Sequence, residues 1–468
     1  MRTAAHPTFE RLRDDDATGG RRDALPSQLE APLSLPLVVD LDATFLATDC
    51  LHESLVRIVC HRPLALPLLM RALLQGRSRL KATAQALAPV DAGTLPVRAD
   101  VLRMIEHEKM RGRAVHLVSA ADDAAVRAVA AHVGCFDSAV GSSGGVNLKG
   151  EMKAAYLQER FPEGFIYAGD AATDEPVFRA ATHAILVGPA ARRAARMPGV
   201  HVAGAARSPA FPVGAWLRLL RLHQWSKNLL VLVPLLLSQE FMRPASIWAS
   251  LAAVLLLGLI ASGTYIVNDF ADLRADRAHP VKRARPLASG ALPILQGGVA
   301  AVLLVLLGLG GSLALSVPFA VVVAGYLVLT LAYSFGLKRV PLLDTYAVGI
   351  LLTLRVVAGM ALLGLALSPW LISFSIALFS SLAMAKRYAE LHRMVAARAD
   401  RPTGRGYAGR DLPLMLGFGI GWGLAGLLIM LMYVNVEATP IGLYRSPQWL
   451  YFVPGVVASW LQRIWLLA

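Results

Sequence analysis

The feature that most constrains this chain is a series of long apolar segments that fills its second half. They lie at roughly 228–240, 247–267, 294–315, 317–335, 342–365, 368–385, 412–434 and 449–467. Most approach the ~20 residues that a helix needs to cross the hydrocarbon core of a bilayer. A helix satisfies its backbone hydrogen bonds internally, so it is the structure expected for such segments in lipid. The sequence therefore predicts an all-α polytopic membrane bundle within residues 215–468.

The distribution of cations predicts the orientation of this bundle. Loops on one side carry most of the Lys and Arg residues, whereas those on the other carry little beyond Arg243 and Arg445. Cytoplasmic loops are enriched in cations, so the basic side is predicted to face the cytoplasm. The first thirty residues lack the apolar core of a secretory signal, which also predicts a cytoplasmic N-terminal domain in an inner (plasma) membrane protein. The net charge of +14 belongs to these loops and does not predict a nucleic-acid partner.

The first half of the chain has the pattern of a soluble α/β domain. Three short apolar runs, LPLVVDLD, AVHLVSA and GFIYAGD, have the composition of buried parallel strands. Helical patterns separate them, as in a doubly wound sheet. Each run ends in polar residues, namely Asp40 and Asp42, then Ser119, then Asp170 followed by Asp174. Because the carboxyl ends of parallel strands meet at one edge, these side chains are predicted to converge there.

This set of residues suits phosphoryl transfer. An aspartate can attack phosphorus, and a second carboxylic acid can protonate the leaving oxygen. A hydroxyl and a lysine can hold the phosphoryl oxygens, and both Lys149 and Lys153 of NLKGEMK are candidates. Further carboxylates can bind Mg²⁺, which neutralises charge between nucleophile and phosphate.

In this order the motifs resemble those of the haloacid dehalogenase (HAD) superfamily over roughly residues 33–190. The resemblance implies that Asp40 is the nucleophile, that Asp42 is the acid/base, and that Ser119 with Lys149 or Lys153 binds phosphate. It implies Mg²⁺ ligands at Asp40, Asp42, Asp170 and Asp174. Ala43 stands where the first motif commonly has glycine. The alternative is a degenerate HAD domain retained for assembly.

The remaining N-terminal segments complete the predicted domain organisation. Residues 1–32 are expected to be a disordered tail, 33–190 the HAD-like domain with a helical cap at 50–95, and 191–214 a basic linker. The apolar stretch LALPLLMRALLQG in the cap is expected to be buried in the cap core rather than to lie on a membrane. Cys50, Cys60 and Cys135 show no paired spacing, so neither a disulfide framework nor a zinc site is predicted.

An aspartate-rich motif follows the second apolar segment. Asp269, Asp272 and Asp276 are spaced i, i+3 and i+7, so on one continuous helix they share a face. Adjacent carboxylates near a membrane repel one another unless a cation compensates, and Mg²⁺ bound to diphosphate is suited to that role. Asn268 is expected to assist, and phosphates are expected to be held by the cations that follow, Arg277, Lys282, Arg283 and Arg285. The alternative is an ordinary charged loop.

Further polar residues are candidates for substrate binding on the same cytoplasmic rim. Lys338 and Asp344 flank the loop after a later apolar segment, and Lys386 and Arg387 follow another. Arg355 lies inside an apolar segment, where an arginine is costly and by default indicates function, the alternative being that it reaches the interface.

This second half resembles the UbiA superfamily of intramembrane prenyltransferases over about residues 215–467. NDFADLRAD matches its first aspartate-rich motif, and YSFGLKRVPLLD matches the region of the second, where only Asp344 stands for the usual aspartate pair. HQWSKNLLVLVPL (which contains Lys227), DRAHPVKRARPLASG and KRYAEL are most similar to the decaprenyl-phosphate phosphoribosyltransferase branch. The resemblance implies a Mg²⁺-dependent transferase of nine helices, so eight to nine are expected.

The functional hypothesis is transfer of 5-phosphoribose from phosphoribosyl pyrophosphate to a polyprenyl phosphate, after which the HAD domain dephosphorylates the product. The many cations favour two anionic substrates over one. The alternatives are an aromatic or other lipid prenyltransferase that uses a prenyl diphosphate and carries a structural HAD domain, and a non-catalytic membrane scaffold. The expected partners are the bilayer, a polyprenyl lipid and a diphosphate substrate, and self-association is left open.

Overall fold

The chain divides into two compact units that do not coincide with its two halves. The computed structural model describes residues 29–143, 146–170, 172–188, 201–206, 212–396, 406–439 and 446–468. The first unit is Met1–Leu219 with Asp269–Gly297, and the second is Leu220–Asn268 with Gly298–Ala468. The segment Asp269–Gly297, which the sequence places in the membrane domain, therefore belongs to the first unit. Residues 1–28 of the predicted tail lie outside the described ranges.

A six-stranded parallel sheet forms the centre of the first unit. Its strands are β1 Leu37–Val39, β2 Val115–Asp122, β3 Ser138–Ser142, β4 Ile166–Gly169, β5 His183–Val187 and β6 Val202–Ala206. Their spatial order is β3-β2-β1-β4-β5-β6, so β1 pairs with both β2 and β4. The direction of winding reverses between β1 and β4, which is where ligands bind in sheets of this kind. The predicted parallel α/β fold is thus confirmed.

Strand β6 lies within residues 191–214, which the sequence predicts to be a basic linker outside the domain. It pairs in parallel with β5, and Val187 lies opposite Ala206. The strand consists of Val, Ala and Gly residues without a clear alternation, and the edge of the existing sheet supplies the hydrogen bonds that define it. Residues 191–200 and 207–211 of the predicted linker lie outside the described ranges.

Buried apolar side chains of helices pack against both faces of the sheet. The helices of the first half of the chain are α1 Cys50–His61, α2 Leu66–Leu74, α3 Arg77–Leu87, α4 Ala99–Met110, α5 Asp123–Val133, α6 Glu151–Arg160, α7 Glu175–Ala180 and α8 Val213–Leu220. Helices α1 to α3 share a small core of their own around Ile58, Leu69 and Ala84, as expected for a helical cap. The expectation that the apolar stretch of α2 is buried is wrong in part, because Leu68, Met70 and Leu74 are exposed.

Long apolar helices dominate the second half. Its helices are α9 Val233–Leu237, α10 Pro244–Ala271, α11 Leu273–Ala278, α12 Ile294–Leu315, α13 Val317–Phe335, α14 Leu343–Leu362, α15 Pro369–Ala396, α16 Leu412–Tyr433 and α17 Phe452–Leu467. Within the described ranges, 7 segments are long and apolar enough to cross a membrane: α10, α12, α13, α14, α15, Gly409–Ala438 and Gln448–Leu467. The last two contain α16 and α17.

The expectation of eight to nine transmembrane helices is therefore too high for the part of the chain that the structure describes. The segment predicted at 228–240 instead begins in a 3₁₀ helix, Leu222–Leu232, and continues as the five-residue α9. Its apolar run is too short to span a bilayer as one helix, since about 20 residues are needed. The apolar run also begins only after the buried polar side chain of Asn228.

Small residues bring α14 and α15 into close contact in the second unit. A Cβ atom added at Gly349 would lie 2.5 Å from Oγ of Ser380, so only glycine fits there. Glycine and serine at helix contacts let backbones approach closely in membrane proteins. This contact fixes α14, which begins next to Asp344, against α15, which carries Lys386 and Arg387.

Candidate active sites

Two buried carboxylates and a half-buried one meet at the carboxyl end of the sheet. Asp40 follows β1, while Asp170 and Asp174 follow β4, on either side of the point where the winding reverses. Each contributes one oxygen to a group in which all oxygens lie within 4.8 Å of one another. Among the described residues, this is the one group of three or more acidic, His or Cys side chains with that spacing.

Lys153 on α6 is the cation of this cluster. Its side chain is buried, and Nζ lies 2.9 Å from Oδ1 of Asp40 and 3.4 Å from Oδ1 of Asp174. Nζ also donates to the hydroxyl of Tyr167, at 2.8 Å, and that hydroxyl donates to Asp174 at 2.9 Å. Lys149, the other candidate, is exposed. The structure therefore brings Lys153, and not Lys149, to the three carboxylates.

The acidic charge of the cluster exceeds what one lysine neutralises. Burial raises the pKa of Asp170 to about 7, and the charges of Asp40 and Asp174 add to the rise. Burial likewise raises the pKa of Asp174, although Lys153 opposes that effect. A divalent cation would relieve the repulsion among these oxygens, and hard oxygen donors are the ligands that Mg²⁺ prefers. The residues of this site therefore fit a magnesium ion.

Asp42 lies beside this group rather than in it, so the structure does not support its carboxylate as a metal ligand. Its Oδ1 accepts a hydrogen bond from the backbone nitrogen of Cys50, at 2.9 Å. Burial raises the pKa of Asp42 to about 8, and nearby Asp49 adds to the rise. Between Asp40 and Thr44 the chain turns through Ala43, whose φ of 58° explains why glycine is favoured at this position.

The hydroxyl-bearing side chains of Ser119 and Thr44 are both buried. Ser119 lies within β2 and its Oγ accepts from the backbone nitrogen of Ala121, at 3.3 Å. Thr44 was not proposed from the sequence, yet its Oγ1 donates to Asp170 at 3.4 Å. Tyr167 was missed as well. Its position in a buried strand was the available signal, because a buried tyrosine hydroxyl usually finds a polar partner.

The aspartate-rich segment has a different geometry from the one its spacing predicts. Helix α10 ends at Ala271 and α11 begins at Leu273, so the chain breaks at Asp272 and the three aspartates do not share one continuous helix. Asp269 and Asp276 are both buried, and Arg285 lies between them, with Nη1 3.1 Å from Asp269 and 2.5 Å from Asp276. Burial raises the pKa of Asp276, although Arg285 opposes that effect.

The sequence analysis expects Mg²⁺ to balance the negative charge of these aspartates. In the structure, Arg285 supplies that positive charge. The acids still provide the oxygen donors that Mg²⁺ prefers, and two of them are desolvated and directed at one point. Among the flanking cations, Lys282 and Arg283 are exposed. The prediction that Arg277 binds phosphate does not fit its position, because its guanidinium pairs with Glu53 at 2.9 and 2.5 Å.

In the second unit, two of the predicted binding residues neutralise each other. Asp344, at the start of α14, is fully buried, and its Oδ2 lies 2.9 Å from Nε of Arg387 on α15. The hydroxyl of Tyr407 donates to the other oxygen of Asp344. The charges of Asp344 and Arg387 are therefore paired with each other in the structure, whereas the sequence predicts that both contact substrate.

Elsewhere in the unit, Lys338 donates to Oδ1 of Asn268 at 3.1 Å.

Arg355 is likewise held by protein groups inside the bundle. Its Nε donates to Oδ1 of Asn228 at 3.0 Å, its Nη2 to the hydroxyl of Tyr326 at 3.0 Å, and its Nη1 to the carbonyl of Leu351 at 2.5 Å. The predicted substrate contact is thus replaced by a buried polar network, which ties the 3₁₀ segment Leu222–Leu232 to α13 and α14. The polar Asn228 at the start of an apolar run was the signal for this partner.

Replacing Asn228 with leucine should destabilise the bundle. The change leaves the buried guanidinium of Arg355 without one acceptor, and a lost hydrogen bond to a charged group costs about 2 kcal/mol. Thermal unfolding in detergent micelles should show a lower midpoint for Asn228→Leu. Ser226→Ala, at an exposed hydroxyl in the same 3₁₀ segment, should unfold as the wild type does. Equal midpoints for both variants would contradict a stabilising network.

Cations also meet near the 3₁₀ segment of the second unit. Partial desolvation lowers the pKa of Lys227, and the positive charges of Lys386, Arg355 and Arg221 contribute to that effect. The Nζ of Lys227 donates to Gln224 at 2.6 Å. Lys386 itself is exposed. The structure therefore places Lys227 and Lys386, which are far apart in sequence, within electrostatic range of each other.

Comparison with known proteins provides the family. The model of the UbiA prenyltransferase family matches residues 229–468. The chain is 45% identical over 436 residues to the uncharacterized protein y4nM of Sinorhizobium fredii. The alignment covers 93% of this chain and 84% of that protein. It is 40% identical over 191 residues to the decaprenyl-phosphate phosphoribosyltransferase of Corynebacterium glutamicum. This second alignment covers 39% of this chain and 57% of that enzyme.

A solved structure of a UbiA homologue from Archaeoglobus fulgidus, bound to GPP and Mg²⁺, matches 54% of this chain and 86% of its own at 14% identity, with a TM-score of 0.43. The family assignment rests instead on the match to residues 229–468, which is more than half of the chain. The seven apolar helices agree with a multi-pass membrane protein. This chain belongs to the UbiA prenyltransferase family.

Proposed function

We propose that this protein transfers 5-phosphoribose from phosphoribosyl pyrophosphate to a polyprenyl phosphate, and that its N-terminal domain is a HAD-like phosphatase that removes the 5-phosphate from the product. The observation that carries the first part is the 40% identity to a decaprenyl-phosphate phosphoribosyltransferase. That alignment covers 57% of the length of the related enzyme. The donor and the acceptor are therefore part of the proposal for this chain.

The aspartates of the aspartate-rich segment support a diphosphate leaving group. Asp269, Asp272 and Asp276 would hold Mg²⁺, which supplies charge neutralisation for the departing pyrophosphate when bound. Arg285, which bridges Asp269 and Asp276, is the cation best placed to move from these acids to the phosphate oxygens. Arginine binds phosphate through two parallel hydrogen bonds, so this exchange conserves its ion pairing.

The number of cations supports two anionic substrates. Lys227 and Lys386 interact electrostatically in the second unit, and Lys282 and Arg283 are exposed after the aspartate-rich segment. An aromatic acceptor carries no phosphate and would need fewer such groups. We propose each of these residues, within its own unit, as a contact for a substrate phosphate. Asn268 contacts Lys338 near the end of α10.

The carboxyl-end cluster of the sheet supports the phosphatase. Asp40 would attack phosphorus, forming an aspartyl-phosphate as the bond to the ribose 5-oxygen breaks, and Asp42 would give its proton to that oxygen. Water would then attack the phosphorus and release inorganic phosphate, while Asp42 takes the proton of the water. Lys153, Ser119 and Thr44 would hold phosphoryl oxygens, and Asp40, Asp170 and Asp174 would hold Mg²⁺.

The transfer reaction is tested by the release of pyrophosphate. Purified protein in detergent should form pyrophosphate only when phosphoribosyl pyrophosphate, a polyprenyl phosphate and Mg²⁺ are all present. Chelation by EDTA should stop the reaction, and added Mg²⁺ should restore it. Pyrophosphate release that does not depend on the lipid phosphate would count against this acceptor.

The two candidate lysines should differ sharply in the phosphatase reaction. Lys153→Met removes the cation 2.9 Å from Asp40, and loss of such an electrostatic contact should lower kcat by about 100-fold or more. Lys149→Met removes an exposed lysine and should change kcat by less than about threefold, as surface substitutions usually do. Phosphate release from a lipid-linked phosphoribose measures both. A larger loss in Lys149→Met would mean that the other lysine serves the site.

A further inference from the structure

Within the first unit, an ion pair joins the aspartate-rich segment to the helical cap. Two nitrogens of Arg277 donate to the two oxygens of Glu53 on α1, at 2.9 and 2.5 Å. Both side chains are almost fully buried, at 7% and 9% exposure. Removing one partner of such a pair leaves a buried charge unpaired, which is costly. The proposed diphosphate and phosphatase functions do not account for this pair.

From Glu53 a short path of hydrogen bonds reaches the loop of residues 40–49, which we call the Asp40 loop. The hydroxyl of Thr48 donates to Oε1 of Glu53 at 2.6 Å. The carbonyl of Thr48 accepts from the backbone nitrogen of Ala43 at 3.0 Å, and Ala43 is the residue next to Asp42. Three contacts therefore lead from Arg277 to the backbone beside the proposed acid.

A second contact joins the same two segments. Nε of Arg277 donates to the carbonyl of Ala288 at 3.1 Å, which fixes the chain that leads to Gly290. Gly290 has a φ of 73°, and a Cβ atom added there would lie 2.4 Å from the carbonyl oxygen of Ala47 in the Asp40 loop. A backbone approach this close requires glycine. The contact is independent of charge, so two different interactions hold the segment against the loop.

We propose that Arg277 is a positioning residue for the N-terminal site. Its ion pair with Glu53 ties the conformation of the aspartate-rich segment to that of the Asp40 loop, so that a change at one is transmitted to the other. The inference depends on the proposed function only for what each site does, because the coupling itself is a property of the protein without substrate.

Amide hydrogen exchange on the full-length protein in detergent, without substrate, tests the coupling. Arg277→Gln should raise exchange at residues 43–48 by about tenfold, because loss of the pair releases a local contact while the sheet stays closed. Exchange at 166–169 in β4 should not change. Asp91→Asn is the matched control, because the half-buried Asp91 pairs at 2.7 Å with Arg274, an exposed residue of the same segment. It should leave residues 43–48 as they are.

Two further variants make the test decisive. Gly290→Ala disturbs the second contact without touching the ion pair and should also raise exchange at residues 43–48. Arg277→Lys keeps the charge and should partly restore protection relative to Arg277→Gln. Unchanged exchange at 43–48 in both Arg277→Gln and Gly290→Ala would overturn the proposal, as would an equal rise in Asp91→Asn.

Phosphate release from a lipid-linked phosphoribose separates positioning from general instability. With positioning, Arg277→Gln should lower kcat about tenfold with KM nearly unchanged, since the pair does not reach the substrate. A rise in KM alone would contradict positioning and indicate a substrate contact. If the wild type releases no phosphate, the proposed function of the N-terminal domain fails, while the exchange measurement still decides the coupling.

Discussion

Asp40→Asn should abolish release of inorganic phosphate from lipid-linked phosphoribose while the protein continues to release pyrophosphate. Asparagine has nearly the same shape as aspartate but cannot form the aspartyl-phosphate, so we expect a loss of at least about 1,000-fold in kcat. Asp40 lies within 4.8 Å of Asp170 and Asp174 and 2.9 Å from Lys153. The substitution therefore removes the one carboxylate of the cluster that directly follows β1.

Separate measurement of the two products provides the internal control. Transfer depends on the aspartate-rich segment, so Asp40→Asn should form pyrophosphate at a rate close to that of the wild type. Glu175→Gln, a change at an exposed acid that begins α7, should leave both products unchanged. Normal phosphate release by Asp40→Asn would exclude Asp40 as the nucleophile and favour a domain retained for assembly.

Asp269→Asn should reduce pyrophosphate formation by about 100- to 1,000-fold, the usual cost of losing one group that stabilises charge in a transition state. Asp269 is buried and pairs with Arg285, so its amide analogue would weaken both the proposed Mg²⁺ site and the position of that arginine. Asp276→Asn should have a similar effect, because the same arginine contacts both acids.

An acid near the other end of the same helix gives a matched control. Glu240 lies just before the first residue of α10, and Asp269 lies near the last one. At 1.5 Å per residue, the helix separates the two acids by roughly 40 Å. Glu240→Gln removes one negative charge from the chain and should leave transfer unchanged. Equal losses in Asp269→Asn and Glu240→Gln would indicate general destabilisation rather than a diphosphate site.

Sequence pattern was sufficient to predict three of the strands and the long apolar helices. The apolar runs that end in Asp40, Ser119 and Asp170 predicted β1, β2 and β4, because parallel strands bury both faces and place their polar ends at one edge. The long apolar segments predicted the seven long apolar helices, because a helix satisfies its backbone hydrogen bonds internally in lipid. The short strand β6 was not predicted, because its Val, Ala and Gly residues have no period and the neighbouring strand determines its structure.

Side-chain partners were the part that sequence pattern could not provide. Arg277, Arg355 and Arg387 were all expected to bind substrate, yet Glu53, Asn228 and Asp344 hold them in the structure. A charge pattern shows which groups need a partner, whereas the partner depends on which distant segments pack together. The helix break at Asp272 was missed for a related reason, because spacing arguments assume a continuous helix.

The central claim is that this protein transfers phosphoribose to a lipid phosphate, and the fate of two labelled donors tests it most directly. Membranes that contain the protein are incubated with polyprenyl phosphate and either phosphoribosyl pyrophosphate labelled in the ribose or a labelled prenyl diphosphate. We expect the ribose label to enter the lipid fraction in the wild type and to be lost in Asp269→Asn. Incorporation of the prenyl label alone would contradict the proposal and identify a prenyl transfer instead.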